Sequence, residues 1–142
     1  MKIKEAIARF DTLYPNAFTH SEKLSWLSEL DGRIFGEVIS LYENAPTVFK
    51  GYTLSTSDST ELLVPFPNDD IYIKFMCLKT DLINSDIKRF NNSAMLFNSA
   101  FNSFASEYSF KKSIETPGDS STVVLSSVRW LESTDWSRFR SR

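Results

Sequence analysis

The chain has 142 residues, 16 Lys and Arg against 18 Asp and Glu, a formal charge of -2 and one cysteine. That length suits one domain whose core needs no metal or disulfide staple. The charge balance excludes a chain built throughout to coat nucleic acid, the lone cysteine excludes an intrachain bridge, and no apolar run approaches the ~20 residues of a membrane helix.

Met1 to Glu5 leads into an amphipathic pattern rather than an apolar leader. Ile3, Ile7, Phe10 and Tyr14, with Ala6 and Leu13 beside them, predict a short helix that Pro15 closes. Thr19 and Glu22 then stand in capping-box relation. Behind them Leu24, Leu27, Ile34, Phe35, Val38 and Leu41 continue at helical spacing to about Asn44, before Pro46. Gly32 and Gly36 inside this helix each cost up to ~1 kcal/mol relative to Ala, so a bend or a close helix approach is expected there. From Thr47 to Pro65 the period changes. Val48, Phe49, Tyr52 and Leu54, then Leu62, Leu63 and Val64, flank a polar run and predict a small β ribbon over about 48–64. Its mobile tip is Ser57, Asp58 and Ser59, a candidate docking loop, and the ribbon must lean on helices or on another chain.

After Pro65 and Pro67, Asn68 is the expected N-cap of the next helix, with Asp69 and Asp70 in its first turn. Ile71, Phe75, Leu78 and Leu82 fall at helical spacing, and Tyr72, Ile73, Met76 and Cys77 make most of the remaining circumference apolar. Such a helix is covered on several sides, and Cys77 reads as a buried structural thiol of a reducing compartment. Asn84, left-handed, and Ser85, as N-cap, predict a tight turn. Phe90, Phe97 and Phe104, with a second row of Ile87, Ala94, Phe101 and Tyr108, then give a heptad seam to about Lys112. The last two helices are therefore expected to form a long antiparallel hairpin.

The other face of the seam helix holds Asn91, Asn92, Ser93, Asn98, Ser99, Asn102, Ser103 and Ser106, polar but uncharged. Asn and Ser are poor helix formers, so something compensates for them. Either this is an ordinary wet face or it meets a neighbouring subunit, and the second is the expectation. The surplus of aromatics, 12 Phe, 5 Tyr and 3 Trp, leaves the same pair of readings: an aromatic core, or surface kept for other chains.

Residues 113–142 change character. Thr116 to Ser121 is turn-like, Thr122 to Val128 is strand-prone, and Trp130, Leu131, Trp136 and Phe139 lie among polar and basic residues. Arg138, Arg140 and Arg142 cluster at the end. With no period by which to fold alone, this tail is expected to be held by another surface.

Catalytic chemistry is sparse. His20 sits at a helix start with no partner constellation, and Asp69-Asp70 is what a helix dipole favours rather than a cation site. There is no phosphate-cradling loop, and Glu29 with Asp31, or Glu37 with Glu43, reads as a solvated helix face rather than a catalytic pair. Neither an enzyme nor a cofactor is expected.

Three blocks resemble a known family. Trp26-Leu27-Ser28-Glu29-Leu30-Asp31-Gly32, then Glu61-Leu62-Leu63-Val64-Pro65 leading into Asp70-Ile71-Tyr72-Ile73, and Arg89-Phe90-Asn91-Asn92-Ser93 with Leu96-Phe97-Asn98, look like head-tail connector proteins (adaptor or head-completion proteins) of tailed double-stranded DNA phages and prophages of Gram-positive bacteria. The likeness covers roughly residues 1–112. It implies a mostly helical subunit, made in the host cytoplasm, that forms a ring in the virion neck, of twelve copies by family analogy. The ring would lie beneath the portal, above downstream neck or tail-completion proteins, and DNA would pass through it without sequence-specific binding.

The expected fold is mainly α: a four-helix bundle-like subunit over residues 1–112 with the long helical hairpin and the ribbon, followed by an extended interaction tail over residues 113–142. Expected partner contacts are Trp130, Trp136, Arg138, Phe139, Arg140 and Arg142 in the tail, and Asn91, Asn98 and Asn102 on the seam helix. Aromatic and arginine residues are enriched at interface hot spots. The alternative is a small helical DNA-binding regulator of a phage or prophage, although the seam helix carries little basic charge beyond Lys88 and Arg89. An enzyme of a prophage is a further alternative, against which the missing catalytic constellation counts.

Overall fold

Four helices carry the computed structural model, which describes residues 1–42 and 48–115: α1 (Ile3–Leu13), α2 (His20–Glu37), α3 (Ile71–Ile83) and α4 (Ile87–Glu115). The protein is mainly helical. α1 buries Ile3, Ala6, Ile7 and Phe10, one stripe of a 3.6-residue period. Its start is held from a distance: Ile3 N–H donates to Thr60 O at 3.0 Å and Lys4 N–H to Asp58 O at 3.0 Å. Two of the orphan donors of the helix N-terminus are thereby satisfied by backbone. Leu62 N–H returns a bond to Met1 O at 2.9 Å.

α2 opens on the capping box. Thr19 Oγ1 accepts Glu22 N–H at 3.2 Å, and Glu22 Oε2 accepts Thr19 N–H at 2.8 Å. The helix ends at Glu37, short of the expected Asn44, and tightens into a 3-10 turn at Ile39–Leu41. Asn44 itself lies outside the described residues. Gly32 lies beneath the Phe49 ring, whose nearest atom is 3.7 Å from where a Cβ would stand, while Gly36 faces open space. At Gly32 the close approach is made by an aromatic ring rather than by a helix.

α3 packs against α1, α2 and α4, which places it at the centre. Its start differs from expectation: Asn68–Asp70 form a 3-10 turn with no side-chain cap, and Asn68 Nδ2 instead donates to Glu107 Oε2 at 2.7 Å. Its end is a Schellman turn. Asp86 N–H bonds to Asp81 O and Ser85 N–H to Leu82 O, at 3.2 and 3.1 Å. Ser85, with φ 57°, is therefore the left-handed residue rather than Asn84, whose φ is -75°. Capping of α4 passes to Asp86, whose Oδ1 accepts Arg89 N–H at 3.1 Å.

Pairings between α3 and α4 run in opposite senses, Asp81 with Ser93, Phe75 with Phe97, and Asn68 (in the turn before α3) with Glu107. Tyr72, Phe75, Phe97, Phe101, Phe10, Leu27 and Leu30 are completely buried along this contact and beneath α1 and α2. Each such side chain contributes about 1.5–3 kcal/mol by leaving water. α4 has 29 residues, about 43 Å at 1.5 Å per residue. Within the described residues it runs to Glu115.

The expected β ribbon does not form. Among the described residues 48–64 there is no strand, and the backbone is committed elsewhere. The Ser/Thr-rich run folds on itself, with Thr56 N–H bonding Thr53 O at 2.9 Å and Thr60 N–H bonding Ser57 O at 3.0 Å. Its next groups serve α1 through an isolated antiparallel bridge between Lys2 and Glu61. Ser57, Asp58 and Ser59 thus form an exposed turn tied to α1 through the Asp58 carbonyl, and Asp58 Oδ1 also lies 3.5 Å from His20 Nε2.

Candidate interaction surface

Two buried carboxylates fix the elements behind the surface. Asp31, on α2 and 0% exposed, accepts Tyr52 O–H at 2.5 Å, Tyr72 O–H at 2.6 Å and Leu63 N–H at 3.2 Å. Tyr72 Oη in turn accepts Val64 N–H at 2.8 Å. Burial pushes the Asp31 carboxyl above its usual range, against the opposing pull of the two tyrosines and Leu63. Both tyrosine hydroxyls are pushed up by burial and by the carboxylate beside them. Expected on a solvated face, Asp31 instead lies on the stripe of Leu24, Leu27 and Ile34. Enclosed and multiply hydrogen-bonded, it fastens segment 52–64 to α2 and α3.

Asp81 does the same at the other end of α3. It accepts Tyr14 O–H at 2.5 Å and the Ser93 hydroxyl, joining the end of α1 to α3 and α4. The Tyr14 hydroxyl is raised by this bond first, then by burial. Cys77 on α3 is half-buried, and burial, with a smaller contribution from Asp81, pushes its thiol above the ordinary range. Glu29 pairs with Lys79 at 2.7 Å, and Asp70 with Lys74 at 2.8 Å. Among the described residues no group of three or more His, Cys, Asp and Glu is placed to hold a metal, and no helix is long and apolar enough to cross a membrane.

The outward side of α4 is the unusual surface. From Phe90 to Ser106 the sequence carries no charge, and Asn91, Asn92, Met95, Leu96, Ser99, Ser103 and Ser106 are exposed, Met95 by 66% and Leu96 by 52%. Asn98 and Asn102 are half-buried, with Asn102 Nδ2 donating to Asn98 Oδ1 at 3.1 Å. The Oδ1 of Asn102 is buried with no hydrogen-bond partner.

Beyond Ser106 the helix regains charge and also displays Phe110 and Ile114. Beside its last turns lies a cleft of about 380 Å³ lined by Ile39, Leu63, Pro65, Phe104, Tyr108 and Lys112, with Phe66 at its edge 84% exposed. A more polar hollow of about 500 Å³ sits between α2 and Tyr52 to Leu54.

Of the residues expected from sequence, Asn91, Asn98 and Asn102 share α4, and Ser57 to Ser59 form an exposed turn beside the start of α1. Trp130, Trp136, Arg138, Phe139, Arg140 and Arg142 lie outside the described residues. Sequence reasoning missed Asp31 with its tyrosines, and the exposed Phe66 and Phe110. Position offered a signal for two of them: Asp31 falls four residues after Leu27 and three before Ile34, on the buried stripe, and Phe110 falls off the Phe90, Phe97, Phe104 row.

Comparison of the chain with protein-family models, with curated proteins and with solved structures returns no match. What the surface can recognise therefore follows from this chain's own residues.

Proposed function

We propose that the protein is a structural assembly subunit, a ring-forming head-tail connector that docks beneath a portal and extends the channel by which DNA leaves a phage head. The observation carrying this reading is the charge-free outer side of α4 between Asn91 and Ser106, with Met95 and Leu96 standing exposed. Contact between copies desolvates whatever lies between them, and buried unpaired charge is costly, so interface centres are depleted of charge. The exposed Asn91, Asn92, Ser99, Ser103 and Ser106 at this face offer hydrogen bonds to a neighbour.

In this reading α3 and α4 form a stiff antiparallel pair, locked by Asp81 to Ser93 and Asn68 to Glu107, that presents the face in one orientation. Heterologous contacts give a ring when the rotation between successive copies closes, as this reading requires. In the tail, Trp136, Arg138, Arg140 and Arg142 clasp the portal or the next subunit. The three sequence blocks resembling connector proteins supply the virion context and the neck location.

The test is the mass of the full chain in solution together with electron microscopy of purified particles. A ring of fixed copy number in the neck is expected. A discrete dimer that binds a DNA sequence, and is missing from particles, overturns the reading in favour of a regulator.

A further inference from the structure

We propose that the cleft at the C-terminal end of α4 is the seat of the chain's own segment Thr122 to Leu131. This goes beyond the assembly reading and does not rest on it. The cleft has an apolar floor of Ile39, Leu63, Pro65, Phe104 and Tyr108, and its edge carries Phe66, almost wholly exposed. An exposed apolar side chain continuous with an apolar groove marks a contact site.

Where the chain continues identifies the partner. Lys111, Lys112 and Glu115, the last turns of α4, are themselves walls of the cleft, so residue 116 begins at its rim. Thr116-Pro117-Gly118-Asp119-Ser120-Ser121 follows, a six-residue run rich in turn formers that spans at most ~20 Å and can reverse direction. Next comes Thr122-Val123-Val124-Leu125-Ser126-Ser127-Val128-Arg129-Trp130-Leu131, an apolar run with one charge. In an extended chain Val124, Val128 and Trp130 fall on one side and Arg129 on the other, so an uncharged edge is available to the cleft while the arginine stays in water. About 380 Å³ lies in the range of binding clefts, roughly 300–1,000 Å³, and takes a few side chains rather than a helix.

A tether this short holds the segment near the cleft at an effective concentration on the order of millimolar, which favours the chain's own segment over that of a second copy. Trp130 then turns inward, and Trp136 with the three terminal arginines is left for other chains.

Amide hydrogen exchange of the full chain, at a concentration where its mass is that of one subunit, tests this. Residues 122–131 are expected to exchange slowly. Phe66→Asp, at the exposed edge, and Trp130→Ala, in the segment, are each expected to accelerate that exchange at least tenfold while α3 and α4 keep their protection. Fast exchange in the unaltered chain overturns the proposal, as does protection that neither substitution changes. Protection appearing only at concentrations where oligomers form assigns the cleft to a second copy and overturns it too. Ring formation is read separately, by mass, so the two proposals fail independently.

Discussion

Tyr72 Oη meets a carboxylate oxygen of Asp31 at 2.6 Å, completely buried, and this one contact joins α3 to α2 while leaving the tyrosine oxygen to accept Val64 N–H. Tyr72→Phe keeps the ring and removes both bonds. With two buried groups left unsatisfied, a loss of about 2–4 kcal/mol is expected, measured by urea unfolding.

The carboxylate itself carries a pH signature. Burial raises Asp31 above its ordinary 3.8, so the folded chain holds this proton more tightly than the unfolded chain. Its contribution is therefore fully present below 3.8 and declines as pH rises through the raised value. Relative to Asp31→Asn, the native chain should fare best in acid and lose advantage toward neutrality. Asp11 has the opposite sign: burial opposes its ionisation, but hydrogen bonds from Lys23 and Asn16 outweigh it and lower its pKa. Its contribution is present above 3.8 and lost as pH falls through the lowered value, so Asp11→Asn should cost most near neutrality. Unfolding curves across an acid-to-neutral series check both slopes.

Ser85 occupies the left-handed position of the turn after α3 with a Cβ that this conformation disfavours. Ser85→Gly should stabilise the chain by up to about 1 kcal/mol, part of the relief being offset by glycine's greater freedom when unfolded. A rise in thermal midpoint is the readout.

Gly51 is the reverse case. Its φ is 82°, and a Cβ there would lie 2.8 Å from Ser28 Oγ, the atom that accepts Tyr52 N–H at 2.9 Å. Gly51→Ala combines backbone strain with a displaced hydrogen bond, and a loss of about 2–3 kcal/mol is expected by the same unfolding measurement.

On the outer side of α4, Leu96→Glu and Ser99→Lys should change the stability of the single subunit by no more than about 0.5 kcal/mol, because both positions are exposed. In the proposed assembly each places a charge in the contact between copies. Loss of the ring with an unchanged circular dichroism spectrum is expected by sedimentation and spectroscopy.

Local signals in the sequence were legible in proportion to how near their partners lie. Thr19 and Glu22, three residues apart, announce the start of α2, and the repeating phenylalanines announce a long helix through Phe104. The helical class follows from such short-range patterns. Asp31 was illegible because an acid on a helix is solvated by default, and the two tyrosines that overturn the default lie 21 and 41 residues away. Asn84 and Ser85 both suit the turn, and only the register of the closing bonds selects Ser85. The segment 48–64 has the composition of strands, yet its backbone partners are residues 1–4, which no local period reveals. For the interaction surface, the uncharged run of α4 was visible in the sequence, whereas the exposure of Phe66 depends on how the loop before α3 is laid down.

The bonds from Thr60 and Asp58 to the first turn of α1 impose an order on synthesis. α1 is synthesised before its acceptors, and its leading amides find them only when residue 60 has followed. At ~5–20 residues per second that is a wait on the order of 3–11 s. Through that interval α1 displays Ile3, Ile7 and Phe10 to solvent, a window in which a chaperone can hold it.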